Sequence, residues 1–250
     1  MSHRPKLAVI ALAALAASCG YGKAVLPAPP AGFVERRPKD SAGIVTEGLP
    51  FQYVWYDPAY TDVQAQVRER ATYRLFVAPI GTQYLDLESE REQLRENAAE
   101  IAVDLHERIA REVTRRKDGS YRVDVVEDRA DAEYALEIEL TEIGLGSPLL
   151  YTVAWITPLP GVATSYDAAH TSVLAIEGRI AEAGTGRVVS EFYDRRIPKV
   201  RVIDVNKMVS TMGPLRDITG DWATEISSAV TSRRDRDEVE SESSFTLLPW

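Results

Sequence analysis

With a single cysteine, Cys19, the chain of 250 residues can form no internal disulfide, although an exported protein of this size is free to use them. Histidine is almost as scarce. His3 lies in the first residues, and neither His106 nor His170 has a cysteine or a zinc-type spacing beside it, so the sequence offers no metal site. Positive charge is also short, with 29 Lys and Arg against 38 Asp and Glu and a net charge of −9, which excludes the basic field that nucleic-acid binding uses. After the first residues, no stretch approaches the roughly twenty apolar residues that a membrane span needs. Catalytic patterns are missing as well. Ser165, Asp167 and His170 are close in sequence but stand in no nucleophile elbow. Gly184 and Gly186 are followed by neither a Walker lysine nor a third spaced glycine, so a hairpin turn explains them better than a nucleotide loop. These gaps predict a non-enzyme without catalytic residues or cofactor.

What the sequence does have begins at its start. Residues 1–18 run from a basic opening (His3, Arg4, Lys6) through the apolar run Leu7 to Ala17 to the small residue Ser18, the layout of a secretory signal peptide. Leu15-Ala16-Ala17-Ser18-Cys19-Gly20 resembles the bacterial lipobox, in which the cysteine thiol takes a diacylglycerol. Leucine stands four residues before the cysteine here, whereas the commonest form has it three before. Removing a leader with two cations, Arg4 and Lys6, and no acid takes the net charge from −9 to −11. By resemblance to enterobacterial sorting, Gly20 rather than Asp after the cysteine points to the outer membrane, with the domain in the periplasm.

Residues 19–50 are rich in Pro and Ala and read as a tether to the lipidated Cys19. Phe51, Tyr53, Trp55, Tyr56 and Tyr60 follow as a dense aromatic segment. Such rings either lie down as a strap on the domain or form a stacking platform for a ligand, with Tyr53, Trp55 and Tyr56 as its candidate surface. Residues 51–231 are expected to form a single α/β domain, an α+β sandwich of about five strands in a mixed sheet with two main helices on one face.

The compact apolar run Tyr73 to Ile80 reads as a buried strand. A capping box, Ser89 with Glu92, then opens a helix whose stripe is Leu94, Ala98, Ile101, Ala102, Leu105, Ile109 and Val113, and Asp118-Gly119 ends it. His106 flanks that stripe as a boundary residue. Tyr121 to Val125 and Leu136 to Thr141 alternate as half-buried strands, which puts Glu137 and Glu139 together on a solvent-facing side. Strand, helix and strand in this order suggest a crossover between parallel neighbours. Val173 to Ile180 and Arg187 to Tyr193 flank the glycine turn as a hairpin. Ile218, Trp222, Ile226, Ala229 and Val230 mark the second helix, and a short helix over Asp204 to Met212 is expected to stop at Gly213-Pro214. Residues 232–250 form a charged tail with an apolar tip, either frayed or a docking peptide.

Several of these segments together resemble the DUF3313 family of bacterial lipoproteins, a domain of unknown function. The resemblance lies in Ala31-Gly32-Phe33-Val34, Tyr53-Val54-Trp55, the run Tyr73 to Ile80, the long helix, Ala130 to Tyr134, Gly184-Thr185-Gly186 and Trp222-Ala223. Where that family usually continues after Phe33 with a tyrosine and a serine, this chain has Glu35-Arg36-Arg37. The family carries no established activity to transfer. With no catalytic constellation present, the expected role is a non-enzymatic, lipid-anchored accessory or scaffold of the cell envelope, with the membrane as one partner and an envelope protein as a candidate second. A binding module for an envelope glycan or lipid is the alternative.

The apolar insertion over residues 144–170, broken by Pro and Gly, is too long for a turn and either folds back as a lid or exposes a patch for a partner. Trp155 and Ile156 are its candidate anchors. If they face a partner, Trp155→Ser with Ile156→Ser should leave the melting temperature nearly unchanged and abolish crosslinks to envelope proteins. A large fall in melting temperature would assign both residues to the core.

Overall fold

Residues 30–37, 51–60, 72–85, 92–115, 122–144, 172–197 and 212–231 are described by the structure, a computed structural model. Strands β1 (Tyr53–Tyr56), β2 (Thr72–Val77), β3 (Arg122–Val126), β4 (Tyr134–Gly144), β5 (Val173–Glu182) and β6 (Val188–Arg196) form one sheet, in the order β1-β6-β5-β4-β2-β3. Helices α1 (Glu92–Thr114) and α2 (Gly213–Thr231) lie side by side over one face of it, which makes the fold an α+β sandwich. β2 pairs in parallel with both β3 and β4, and the remaining pairs are antiparallel. The parallel β2 and β3 are joined through α1, as a strand, helix and strand sequence predicts.

The periodicities place the core. From the α1 stripe, Ala98, Ile101, Ala102, Leu105, Ile109 and Val113 are buried, and Leu94 packs at its margin. Ile218, Trp222, Ile226, Ala229 and Val230 of α2 are buried with them. On the sheet, Leu136, Ile138 and Leu140 of β4 face the helices beside Ile176 and Ile180 of β5. The register slips between Leu140 and Glu142, and this bulge is needed for the polarity of the strand. Strict alternation would send Glu142 into the core. The extra residue turns it instead to the opposite face, where it pairs with Arg195 at 2.6 Å, and returns Ile143 to the buried side.

One expectation changes. Among the described residues the strands number six because the aromatic segment supplies β1, which pairs with β6 at the edge of the sheet. Gly213-Pro214 opens α2. Proline in a first turn removes an N–H that has no intrahelical acceptor in any case, and its fixed φ suits a helix start. The other residues of the short helix expected before it lie outside the described residues, as do Ser89, Asp118-Gly119, the leader, Trp155, Ile156 and the tail.

Polar contacts tie the second helix to the sheet: the Tyr73 hydroxyl of β2 donates to the buried Val230 carbonyl, and a cluster around Asp194 holds the middle of the helix. Trp222, fully buried, donates its Nε1–H to Asp194 Oδ2 on β6 at 2.8 Å. Arg196 donates to the same oxygen at 2.6 Å and also pairs with Glu225 of α2. Trp222→Ala should therefore cost about 3 to 5 kcal/mol, read as a lower urea midpoint at unchanged m. Trp222→Phe, which keeps an aromatic ring in the core but leaves Asp194 one donor short, should cost less than the alanine change, about 1 to 3 kcal/mol.

Candidate functional site

The face of the sheet away from the helices is charged. Cross-strand register aligns Tyr53, Tyr193, Glu177 and Glu139 in one row and Trp55, Glu191, Arg179 and Glu137 in the next. Solvent would be the ordinary cover for such a surface. Here residues 30–37 lie across it, on top of a carboxylate with no exposure at all, that of Glu177.

Five donors from this one segment meet Glu177. Its Oε1 accepts from Ala31 N at 3.1 Å and from Arg36 Nε and Nη2 at 3.0 and 2.7 Å. Its Oε2 accepts from Phe33 N at 2.9 Å and Val34 N at 3.1 Å. Gly32, at φ +96°, and Arg36, at φ +45°, supply the left-handed backbone that curls successive N–H groups toward one anion. For Arg36 that conformation is disfavoured, and its two bonds to Glu177 hold it there. Burying an ionised carboxylate is costly unless it is paired and hydrogen-bonded, and this one is both.

The neighbours complete the cover. Arg36 lies over the Tyr193 ring at 3.9 Å and Arg37 over Trp55 at 3.4 Å, while Arg37 N donates to the Tyr53 hydroxyl at 2.9 Å. Burial drives the Tyr53 hydroxyl up to about 12. Phe33 sits under Arg179 and against Tyr84, and Val34 is buried. Tyr53, Trp55 and Tyr56 are 6%, 6% and 2% exposed, which agrees with the strap of the two arrangements considered for this segment rather than with an open stacking platform. They form a strap-bearing edge strand. Part of the expected tether is likewise no tether here, since residues 30–37 within it are packed on the sheet.

Glu137 and Glu139 share this face as expected, but neither faces open solvent. Burial alone would raise the Glu137 carboxyl, yet Arg179, at 2.7 Å, and Arg129 hold it below its ordinary value. Glu139 is 7% exposed, and burial pushes it up. Its Oε1 accepts from Gln83 Nε2 at 3.3 Å, and its Oε2 has no hydrogen-bond partner among the described residues. The backbone of Gly81 approaches so closely that a Cβ there would lie 2.0 Å from Glu139 Oε1. Burial also raises the Glu191 carboxyl, and the charge of Arg37 opposes that rise.

His106 contacts the Val77 carbonyl at 3.1 Å, which fits a boundary position; Ser165, Asp167 and His170 lie outside the described residues. Among the described residues no group of three or more His, Cys, Asp or Glu is arranged to hold a metal, and no helix is long and apolar enough to cross a membrane. Sequence reasoning did not find Glu177 or its donors. The available signals were an acid directly after the apolar run Val173 to Ile176 and the paired cations Arg36-Arg37 where the chain departs from the DUF3313 pattern.

No family model matches the chain, and the search of curated proteins returns no match. The resemblance to DUF3313 thus rests on the residues quoted above. Among solved structures the chain is similar to the PelC dodecamer from Paraburkholderia phytofirmans, with 11% identity, a TM-score of 0.35, and coverage of 62% of this chain and 89% of that one. It is similar at 12% identity and TM-score 0.35 to a DUF330 protein from Xanthomonas campestris, over 61% of this chain and 82% of that one. A lipoprotein from Neisseria meningitidis matches at 10% identity and TM-score 0.24, over 55% and 92%. Likeness at this level assigns neither activity nor assembly.

The buried acid yields a test with a definite sign. A carboxyl whose value is raised in the fold binds its proton more tightly there than in the unfolded chain, so the ionised form destabilises at neutral pH and the penalty fades as pH falls. Glu139→Gln should raise the melting temperature at pH 7 by about 2 to 4 °C, the shift that goes with about 1 kcal/mol in a chain of this size. The gain should shrink as pH falls toward the ordinary carboxylate range. Melts of both proteins across pH would show it, and equal melting temperatures at pH 7 would count against a buried charge at this position.

Proposed function

We propose that this protein is a bacterial envelope lipoprotein of the DUF3313 kind, anchored in the outer membrane through lipid on Cys19 and acting in the periplasm as a non-enzymatic accessory or scaffold. One observation carries the reading. The lipobox cysteine precedes by only eleven residues the point, Pro30, where the chain docks on the sheet. A lipid at Cys19 would therefore be joined directly to the charged face and not to a remote linker. Several solved structures of similar outline are named lipoproteins, which agrees with the reading without supplying it.

A glycan- or lipid-binding module is the second reading, and its sequence support was the aromatic segment. With Tyr53 stacked on Tyr193 at 5.2 Å and Trp55 under Arg37, those rings already have partners, which favours the scaffold. In cells, Cys19→Ser should move the domain from the membrane to the soluble fraction, or stop its processing, with the melting temperature unchanged. A Cys19→Ser protein that is processed normally and stays equally membrane-bound would overturn the anchor.

A further inference from the structure

A lipid anchor tells how a protein is held but not how far its domain stands from the bilayer. The distance depends on the first residue at which the chain becomes part of the fold. If the fold began at β1, the segment from Cys19 to Phe51 would allow about 100 Å when extended at about 3.1 Å per residue. If it begins at Pro30, the same arithmetic allows about 35 Å.

Which of the two holds turns on a small set of contacts. Residues 30–37 make no ladder with the sheet, and side chains accept from their backbone instead: Ala31, Phe33 and Val34 donate to Glu177, and Arg37 donates to Tyr53. A strand added to a sheet edge would close many independent hydrogen bonds along its length. This segment is closed mainly by one carboxylate, and Arg36, the residue in a disfavoured backbone conformation, supplies two of that carboxylate's five bonds.

We infer that residues 30–37 are a latch, closed by Glu177 and Arg36, that holds the domain on a short leash to its lipid anchor and lengthens that leash when it opens. The inference rests on the lipid at Cys19 for its consequence but not for the latch itself. Opening adds roughly twenty residues to the free connection and uncovers Glu177, Glu191 and the faces of Trp55 and Tyr193. Nothing in the helix layer needs to move, because none of the latch contacts involves α1 or α2. The device is thus separable from global folding.

Two variants and two readouts test it. In the soluble Cys19→Ser protein, hydrogen exchange at the amides of Ala31, Phe33 and Val34 should speed up by about tenfold or more in Arg36→Ala and in Glu177→Gln, while amides of α1 and β4 keep their protection. Arg36→Ala lies outside the core and covers the case in which Glu177→Gln fails to fold. In the lipidated protein on phosphatidylethanolamine/phosphatidylglycerol vesicles, a dye on Val103→Cys, at an exposed position of α1, should lose at least half of its energy transfer to an acceptor in the bilayer when Arg36 is replaced. Arg36→Lys, which keeps the charge but not the two-nitrogen grip, should fall between. Unchanged amide exchange in both variants overturns the latch. Faster exchange with unchanged transfer overturns the leash. A chain that acquires no lipid but shows protected amides overturns the anchor of the preceding section, and with it the leash, while leaving the latch demonstrated.

Discussion

A fully buried carboxylate on a sheet face without helices is the constraint from which the rest of this structure follows. A carboxylate buried in that position needs hydrogen-bond donors, and β4 and β6 on either side bring Glu139 and Tyr193, neither of which is a cation. The donors must come from elsewhere in the chain. Residues 31–36 provide all five, so a sequence that looks like spacer becomes part of the fold. Once it is in place, the rings beneath have a use: Tyr193 and Trp55 carry the guanidinium groups of Arg36 and Arg37. Losing either member of such a pair leaves the other as an uncompensated buried charge unless the segment lifts and readmits water, which is why the contact is all-or-none.

The two faces of the sheet solve the problem of cover in opposite ways, and two glycines mark the difference. On the helix side, Gly178 leaves the space in which the Phe192 ring lies across β5; a Cβ would come within 2.2 Å of Phe192 Cζ. On the other side, Gly81 leaves space for the Glu139 carboxylate. One absence of a side chain admits an aromatic ring to the core, and the other admits a charge beneath a loop. The helix side gains its stability from apolar area removed from water, with the Trp222 to Asp194 bond fixing how α2 sits. The charged side gains far less from area and depends on geometry: Glu137 between Arg179 and Arg129, Glu142 on Arg195, Glu177 in its backbone cradle.

That contrast also explains what could be read from the sequence. Helices α1 and α2 were legible because their stripes bury a continuous face, and a period of 3.6 survives in any context. The parallel neighbours β2 and β3 followed from their order around α1. β1 was harder to read because Tyr53-Val54-Trp55-Tyr56 has no polar alternation; both of its faces are covered, so its pattern is the continuous run of a buried strand. Glu137 and Glu139 were placed on the correct face, but their exposure was misjudged, since alternation reports which side a residue takes and not what lies over that side. Glu177 and Arg36 are 141 positions apart, and no local rule connects an acid in one strand with a cation in a Pro-rich stretch. Gly213-Pro214 was read only as a stop, and its place at the start of α2 went unread because a dipeptide that ends one helix can also begin the next.

Charge gives the clamp a further significance under the proposed anchoring. Peripheral proteins commonly orient on anionic bilayers through clustered Lys and Arg, each adding about 1 kcal/mol close to the surface. This chain carries a net charge of −9, and on its charged face Arg36, Arg129, Arg179 and Arg195 are each engaged by a carboxylate. Such a domain is repelled by anionic headgroups, and a long flexible connection would let it drift outward and turn freely. A connection fixed at residues 30–37 limits both motions without any attraction to lipid. If the chain is anchored as proposed, the orientation that other proteins obtain from a basic patch would come here from where the chain enters the fold.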